Sequence, residues 1–175
     1  MKATIDDTGA TAVHERTEDK SASGKPDADK QEMLKKMETA GKPGPSHKAL
    51  ETFVGNWKAE VKCWMEPGAE PKISHGTAKT KWILNGHFLE EEFHGEMMGK
   101  PFTGRWVIGF DNTKQKFTSV WVDDSGTSMT TSEGKGEDDN KIITLEGKTV
   151  CPGTGRTDLP MKQVFRAVDA NKRVC

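Results

Sequence analysis

The segment NGHFLEEEFHGEMMGKP (Asn85–Pro101) places three consecutive glutamates between two histidines. On a helix, His87, Glu91 and His94 would share one face. Glu91-Glu92-Phe93-His94 would then match the Glu-x-x-His spacing of carboxylate-bridged di-metal bundles. On a strand, His87 and His94 fall on opposite faces and no metal site forms. The residues before it decide between these readings. WKAEVKCWM (Trp57–Met65) sets Trp57, Ala59, Val61, Cys63 and Met65 against Lys58, Glu60 and Lys62, a period of two that only Trp64 breaks. A second alternating run over 72–84 leads into Asn85-Gly86, a strong two-residue hairpin signal.

That turn fixes the register. Leu84 faces His87, Trp82 faces Leu89, Thr80 faces Glu91 and Ala78 faces Phe93. The other side of the same pairing sets Lys81 against Glu90 and Lys79 against Glu92, so two opposite-charge cross-strand pairs follow from the turn alone. The helical alternative has too few residues between Gly86 and Gly95 and lacks a second Glu-x-x-His. The stretch reads as a strand.

Alternation continues through PFTGRWVIGFD, with Phe102, Gly104, Trp106, Ile108 and Phe110 on one face, and through KFTSVWVDD, with Phe117, Ser119 and Trp121. Further strands are expected near 127–133, 141–150 and 161–168. EPGAEP, DNTKQ, GEDDNK and CPGTGRTDLP read as turns. About eight short antiparallel strands with no intervening helix imply an all-β sandwich or barrel. Ahead of them, SHKALETFVG reads as one or two helical turns carrying Leu50, Phe53 and Val54 inward, with Ser46 as N-cap. A short helix over 30–39 places Met33, Leu34 and Met37 on one side.

Composition divides the chain at about residue 42. All five Trp and all seven Phe lie from Phe53 to Phe165. Residues 1–42 read as a flexible polar tail around the short helix, and residues 43–175 as one domain. The net charge of −1 gives neither part the basic excess that nucleic acid or an anionic membrane surface attracts. No run is long enough to span a membrane as a helix, and the first twenty residues lack the apolar core of a secretory signal. Three cysteines with no Cys-x-x-Cys pair fit a reducing compartment. The expected location is the cytoplasm.

PGPSHKALETFVGNW, WILNGHFLEEEFHGEMMGKPF, GFDN and VWVDDSGTSMTTSEG together resemble an uncharacterised bacterial family of calycin-like (lipocalin-like) domains of unknown function. The resemblance covers about 43–174. It implies an up-and-down β-barrel around a central cavity and no established activity. Members of that family usually continue past the equivalent of DANKRVC into another strand. The resemblance therefore implies an incompletely closed barrel, a strand supplied in trans through an open edge near Trp57–Met65, or a truncated chain.

Candidate site residues follow from the register. Glu91 falls on the interior face, where a carboxylate is costly unless paired. It is either a polar anchor or acid/base group, or a carboxylate satisfied by Thr80 or a neighbouring strand. Trp57, Trp82, Trp106, Trp121 and Phe93 also face inward, as an aromatic core or as a ligand wall, with His87 near the rim. Glu92 and His94 face outward and form no metal site. His47 is expected to close one barrel end through a structural hydrogen bond, a haem-ligand role being the remoter alternative. EGKT (Glu146–Thr149) lacks the first glycine of a phosphate loop. No metal and no cofactor are expected. The leading expectation is a non-catalytic binder of a small hydrophobic ligand. The alternatives are an isomerase- or cyclase-like enzyme using Glu91, and a module that pairs through an open strand edge, including with a second copy of itself.

Overall fold

In a computed structural model of the chain, residues 28–64 and 68–175 are described. The tail expectation for residues before 28, the inward position of Met65 and part of the EPGAEP turn lie outside the described residues. Helix α1 (Ala28–Ala40) buries none of its residues, and Met33, Leu34 and Met37 are all exposed. A short helix α2 (Pro45–Ala49) and a 3₁₀ turn (Leu50–Phe53) precede the sheet.

Nine strands follow in a simple meander: β1 (Gly55–Cys63), β2 (Lys72–Ile83), β3 (Phe88–Met97), β4 (Lys100–Asp111), β5 (Lys116–Asp123), β6 (Thr130–Glu137), β7 (Ile142–Cys151), β8 (Arg156–Asp169) and β9 (Lys172–Val174). Each pairs antiparallel with the next, in the order β1 to β9. The sheet curls into a half-barrel. Its curvature brings Phe165 of β8 against Trp106 of β4, stacked at 4.4 Å, and Arg173 of β9 over Trp57 of β1, 4.6 Å from the ring centre.

The hairpin that decided the fold has the expected register. Thr80 faces Glu91, Trp82 faces Leu89 and Ala78 faces Phe93. The turn itself differs. The last ladder pair is Ile83 with Phe88, and Leu84, Asn85 and Gly86 all take positive φ. The loop thus holds four residues instead of two, and because one residue is added on each side, no side chain changes face. Lys81 pairs with Glu90 at 3.3 Å. Lys79 lies opposite Glu92, but among the described residues no ion pair joins them. Arg105 of β4 spans Glu90 and Glu92 instead, at 3.3 Å to each, its planar fork suiting two carboxylates better than a flexible ammonium does.

Three boundaries differ from expectation. β6 begins at Thr130, not near 127, because its Ser/Thr/Gly sequence carries little apolar alternation and its position is set by pairing to β5 and β7. β8 starts at Arg156 and is longer than the run read from sequence. α2 is capped by Gly44, not Ser46: Pro45 takes the first helical position, where its fixed φ is favourable, and the Gly44 N–H donates to His47 Nδ1 at 3.0 Å.

The buried core sits toward one end. Leu50 and Phe53 from the α2 segment insert among Leu89, Trp106, Ile108, Phe117, Ile143, Leu145 and Phe165. The 3₁₀ turn therefore acts as a plug for the half-barrel. Phe53 meets Phe165 edge to face at 6.5 Å.

Candidate functional site

Alternate strands run from the plug end to the opposite end, the mouth, so each inner face can be followed from one to the other. At the plug end, three of the motifs quoted from sequence converge on the segment around residues 40–53. Asn112, from GFDN, donates through Nδ2 to the carbonyls of Ala40 (2.7 Å) and Lys42 (2.8 Å). His87, from NGHF, lies with Nε2 2.7 Å from the Gly41 carbonyl and Nδ1 2.6 Å from that of Leu84. His47, from PGPSH, is buried and meets Phe110 edge-on at 5.9 Å. Burial holds the His47 imidazole below its ordinary pKa, with His87 pushing in the same direction and a hydrogen bond to the Phe110 backbone opposing it. The Trp57 indole N–H donates to the Phe53 carbonyl at 3.0 Å. That of Trp82 donates to Glu51 Oε2 at 2.5 Å. His87, Trp57 and Trp82, all candidate ligand contacts by sequence, are thus engaged in fastening the plug.

Midway along the inner face lies Glu91. Its carboxylate accepts from Thr80 Oγ1 at 2.6 Å and forms an ion pair with Arg173 Nη2. Arg173 also donates through Nη1 to the Phe53 carbonyl and to Thr80 Oγ1, at 3.3 Å each. The side chains of Arg173 and Glu91 are only 8% and 13% exposed, which makes this a desolvated pair held by additional hydrogen bonds. Among the described residues no ladder bonds join β9 to β1, and this side-chain cluster spans the seam between them at the plug end. Sequence reading found Glu91 and Thr80 but missed Arg173. An inward carboxylate calls for a cation, but which of the chain's basic residues supplies it depends on the curl of the sheet.

The mouth is built differently. Phe93, Phe102 and Trp121 form an aromatic row across β3, β4 and β5, with ring centres 6.1 and 6.2 Å apart. All three are only half-buried. Glycines make room for these rings: a Cβ on Gly104 would sit 2.2 Å from the Trp121 indole, and one on Gly95 2.7 Å from Phe93. On one side of the row is an apolar groove of about 570 Å³, lined by Val61, Ile73, Phe93, Met97, Met98 and Phe102. On the other is a polar cavity of about 420 Å³, lined by Trp121, Asp123, Thr130, Thr149, Met161 and Gln163.

Hydrogen bonds organise the polar side. Ser119 and Ser132 hydroxyls lie 2.9 Å apart, and Ser132 Oγ donates to Gln163 Oε1 at 3.0 Å. The Thr130 and Thr149 hydroxyls are 3.2 Å apart. Asp123 accepts the Trp121 indole N–H at 2.7 Å and the Ser125 backbone N–H at 3.0 Å. Burial raises the Asp123 carboxyl pKa, but hydrogen bonds from the Ser125 hydroxyl, Trp121 and the Ser125 and Gly126 backbone bring it below the ordinary aspartate value. Between the two ends, the Trp106 indole N–H is buried and has no hydrogen-bond partner among the described residues.

Glu92 and His94 face outward, 2.9 Å apart, with His94 exposed. No group of three or more His, Cys, Asp or Glu among the described residues is arranged to hold a metal ion. None of the described helices is long and apolar enough to cross a membrane.

No curated protein matches the sequence. A family model described as a protein of unknown function (DUF1579) matches residues 42–175, which takes in the α2 segment, all nine strands and both ends of the half-barrel. The chain belongs to the DUF1579 family.

Proposed function

We propose that this domain is a calycin-like carrier that holds a small, largely apolar molecule in the mouth half of its curled sheet. The observation that carries this reading is the apolar groove beside the Phe93–Phe102–Trp121 row. Its volume of about 570 Å³ lies within the range of roughly 300–1,000 Å³ that small-molecule sites occupy. Half-buried aromatic rings in a concave wall gain free energy when a ligand covers them, at about 25 cal/mol per Å² of apolar surface removed from water.

An acid–base role for Glu91 finds less support, because its carboxylate is already held by Arg173 and Thr80. A free general base within reach of the groove would be the better motive for catalysis. The reading is tested by titrating the protein with a neutral environment-sensitive dye. Saturable binding is expected, with affinity lost in Phe93→Ala and Phe102→Ser and retained in Lys58→Ala on the outer face. Absence of saturable binding, or equal loss in all three variants, would contradict it.

A second reading has one specific support. The outer edge of β1 and the Arg156–Phe165 stretch of β8 have no strand partner on that side among the described residues. Exposed edges of this kind accept strands from other chains. A second copy of the domain is the simplest source, and a concentration-independent monomer in sedimentation would exclude it.

A further inference from the structure

The charged and polar groups of the inner wall separate ligand classes. The two enclosed carboxylates of that wall already have partners, whereas Lys72 and Glu96, which also line the apolar groove, stand exposed to solvent. Glu91 is paired with Arg173, and Asp123 is surrounded by the Trp121 and Ser125 donors. Among the described residues no cation lines the polar cavity, so an incoming carboxylate or phosphate would be desolvated without a counter-charge, with the Asp123 carboxylate close by. Such burial is strongly unfavourable. An incoming ammonium would meet Asp123, but with that carboxylate's oxygens already accepting hydrogen bonds.

Neutral donors, by contrast, are left over. Gln163 uses Oε1 to accept from Ser132, and its Nε2 protons have no partner among the described residues. The buried Trp106 indole N–H is likewise unpartnered. Trp106 is the register neighbour of Trp121, which lines the polar cavity, and its ring stacks on Phe165, two residues from Gln163. In the Thr130–Thr149 pair one hydroxyl donates to the other, which leaves the second proton free for a ligand oxygen. Gln163 lines the polar cavity, so its amide N–H can donate to a ligand oxygen placed there.

We infer that the mouth selects an uncharged amphiphile bearing a hydrogen-bond-accepting oxygen, such as a ketone, ester or amide, over fatty carboxylates and amines. Its apolar part lies along Phe93, Phe102 and Val61, and its oxygen lies on the β5–β8 side at Gln163. This inference rests on the binding reading above and adds the chemistry of the head group to it.

The test is a matched medium-chain series titrated into the unaltered protein by calorimetry: a methyl ketone, the alkane of equal length, the corresponding carboxylate and the corresponding alkylammonium. The ketone is expected to bind about tenfold more tightly than each of the other three, the step that one well-made hydrogen bond contributes. In Gln163→Met the ketone should lose its advantage over the alkane while the alkane's affinity holds. A carboxylate or ammonium binding as tightly as the ketone would overturn the inference and leave the carrier reading intact. So would a ketone advantage that survives both Gln163→Met and Trp106→Phe. If no member of the series binds, the carrier reading itself fails. The series on the unaltered protein decides the charge preference even if a variant does not fold.

Discussion

The two ends of this half-barrel set the same kinds of residue in opposite surroundings. At the plug end, Trp57 and Trp82 direct their indole N–H groups into the 3₁₀ turn, and Leu50 and Phe53 are fully buried. At the mouth, Phe93, Phe102 and Trp121 stand half-buried beside open space. An inward aromatic therefore says little by itself. What separates a packed ring from an open one is whether another segment of the chain arrives to cover it, and here α2 and the following turn cover the plug end.

The contrast can be broken most severely at its closed end. Phe53→Ala removes a fully buried ring and is expected to cost about 3–5 kcal/mol, measured by chemical denaturation. Phe93→Ala removes a half-buried ring next to a groove and is expected to cost about 1–2 kcal/mol while abolishing dye binding. Equal costs at the two positions would contradict the division into a packed and an open end.

The seam between β9 and β1 is the next point to test. Removing one member of the buried pair, in Glu91→Leu or Arg173→Met, leaves the other group without its counter-charge and is expected to destabilise by about 3–5 kcal/mol. The double variant Glu91→Leu/Arg173→Met should be markedly more stable than the sum of the single changes implies, since nothing charged remains buried. Simple additivity would show that the two side chains are not coupled.

A smaller effect separates the ends by pH. His47 is neutral in its buried site, its folded pKa lying below the ordinary value. Below about pH 6.5, histidine's ordinary value, the unfolded chain takes up a proton more readily than the folded one. The contribution of His47 to stability is therefore complete above that pH and is lost as pH falls toward the folded pKa. Thermal melts should show a decline in this window that His47→Gln reduces. Dye binding at the mouth should not follow it.

Much of the architecture was legible because it is local. Asn85-Gly86 and the alternation around it fixed which side of β2 and β3 faces inward, and that register survived a turn of a different length. SHKALETFVG announced the inward Leu50 and Phe53. The strand from Thr130 was harder to place because Ser, Thr and Gly carry no strong face preference; its position depends on both neighbours. Arg173 was missed for a different reason. It meets Glu91 only because the whole sheet curls, and curvature accumulates over nine strands without a signature in any one of them. Three of the four motifs carrying the family resemblance, through PGPSH, NGH and GFDN, proved to meet in space, where they fasten the plug, while VWVDDSGTSMTTSEG lies at the mouth. The chemistry proposed for the mouth rests on Gln163, which no motif marks, together with Phe102 and the Thr130 and Ser132 hydroxyls, which lie inside quoted motifs but were given no role there.

The five tryptophans offer the most direct measurement. Each has one indole N–H resonance, and a methyl ketone titration followed by NMR reads both ends of the molecule at once. The account predicts that the Trp121 resonance moves with saturation while those of Trp57 and Trp82, bonded to the plug, stay in place. Shifts at Trp57 and Trp82 with Trp121 unmoved would contradict it.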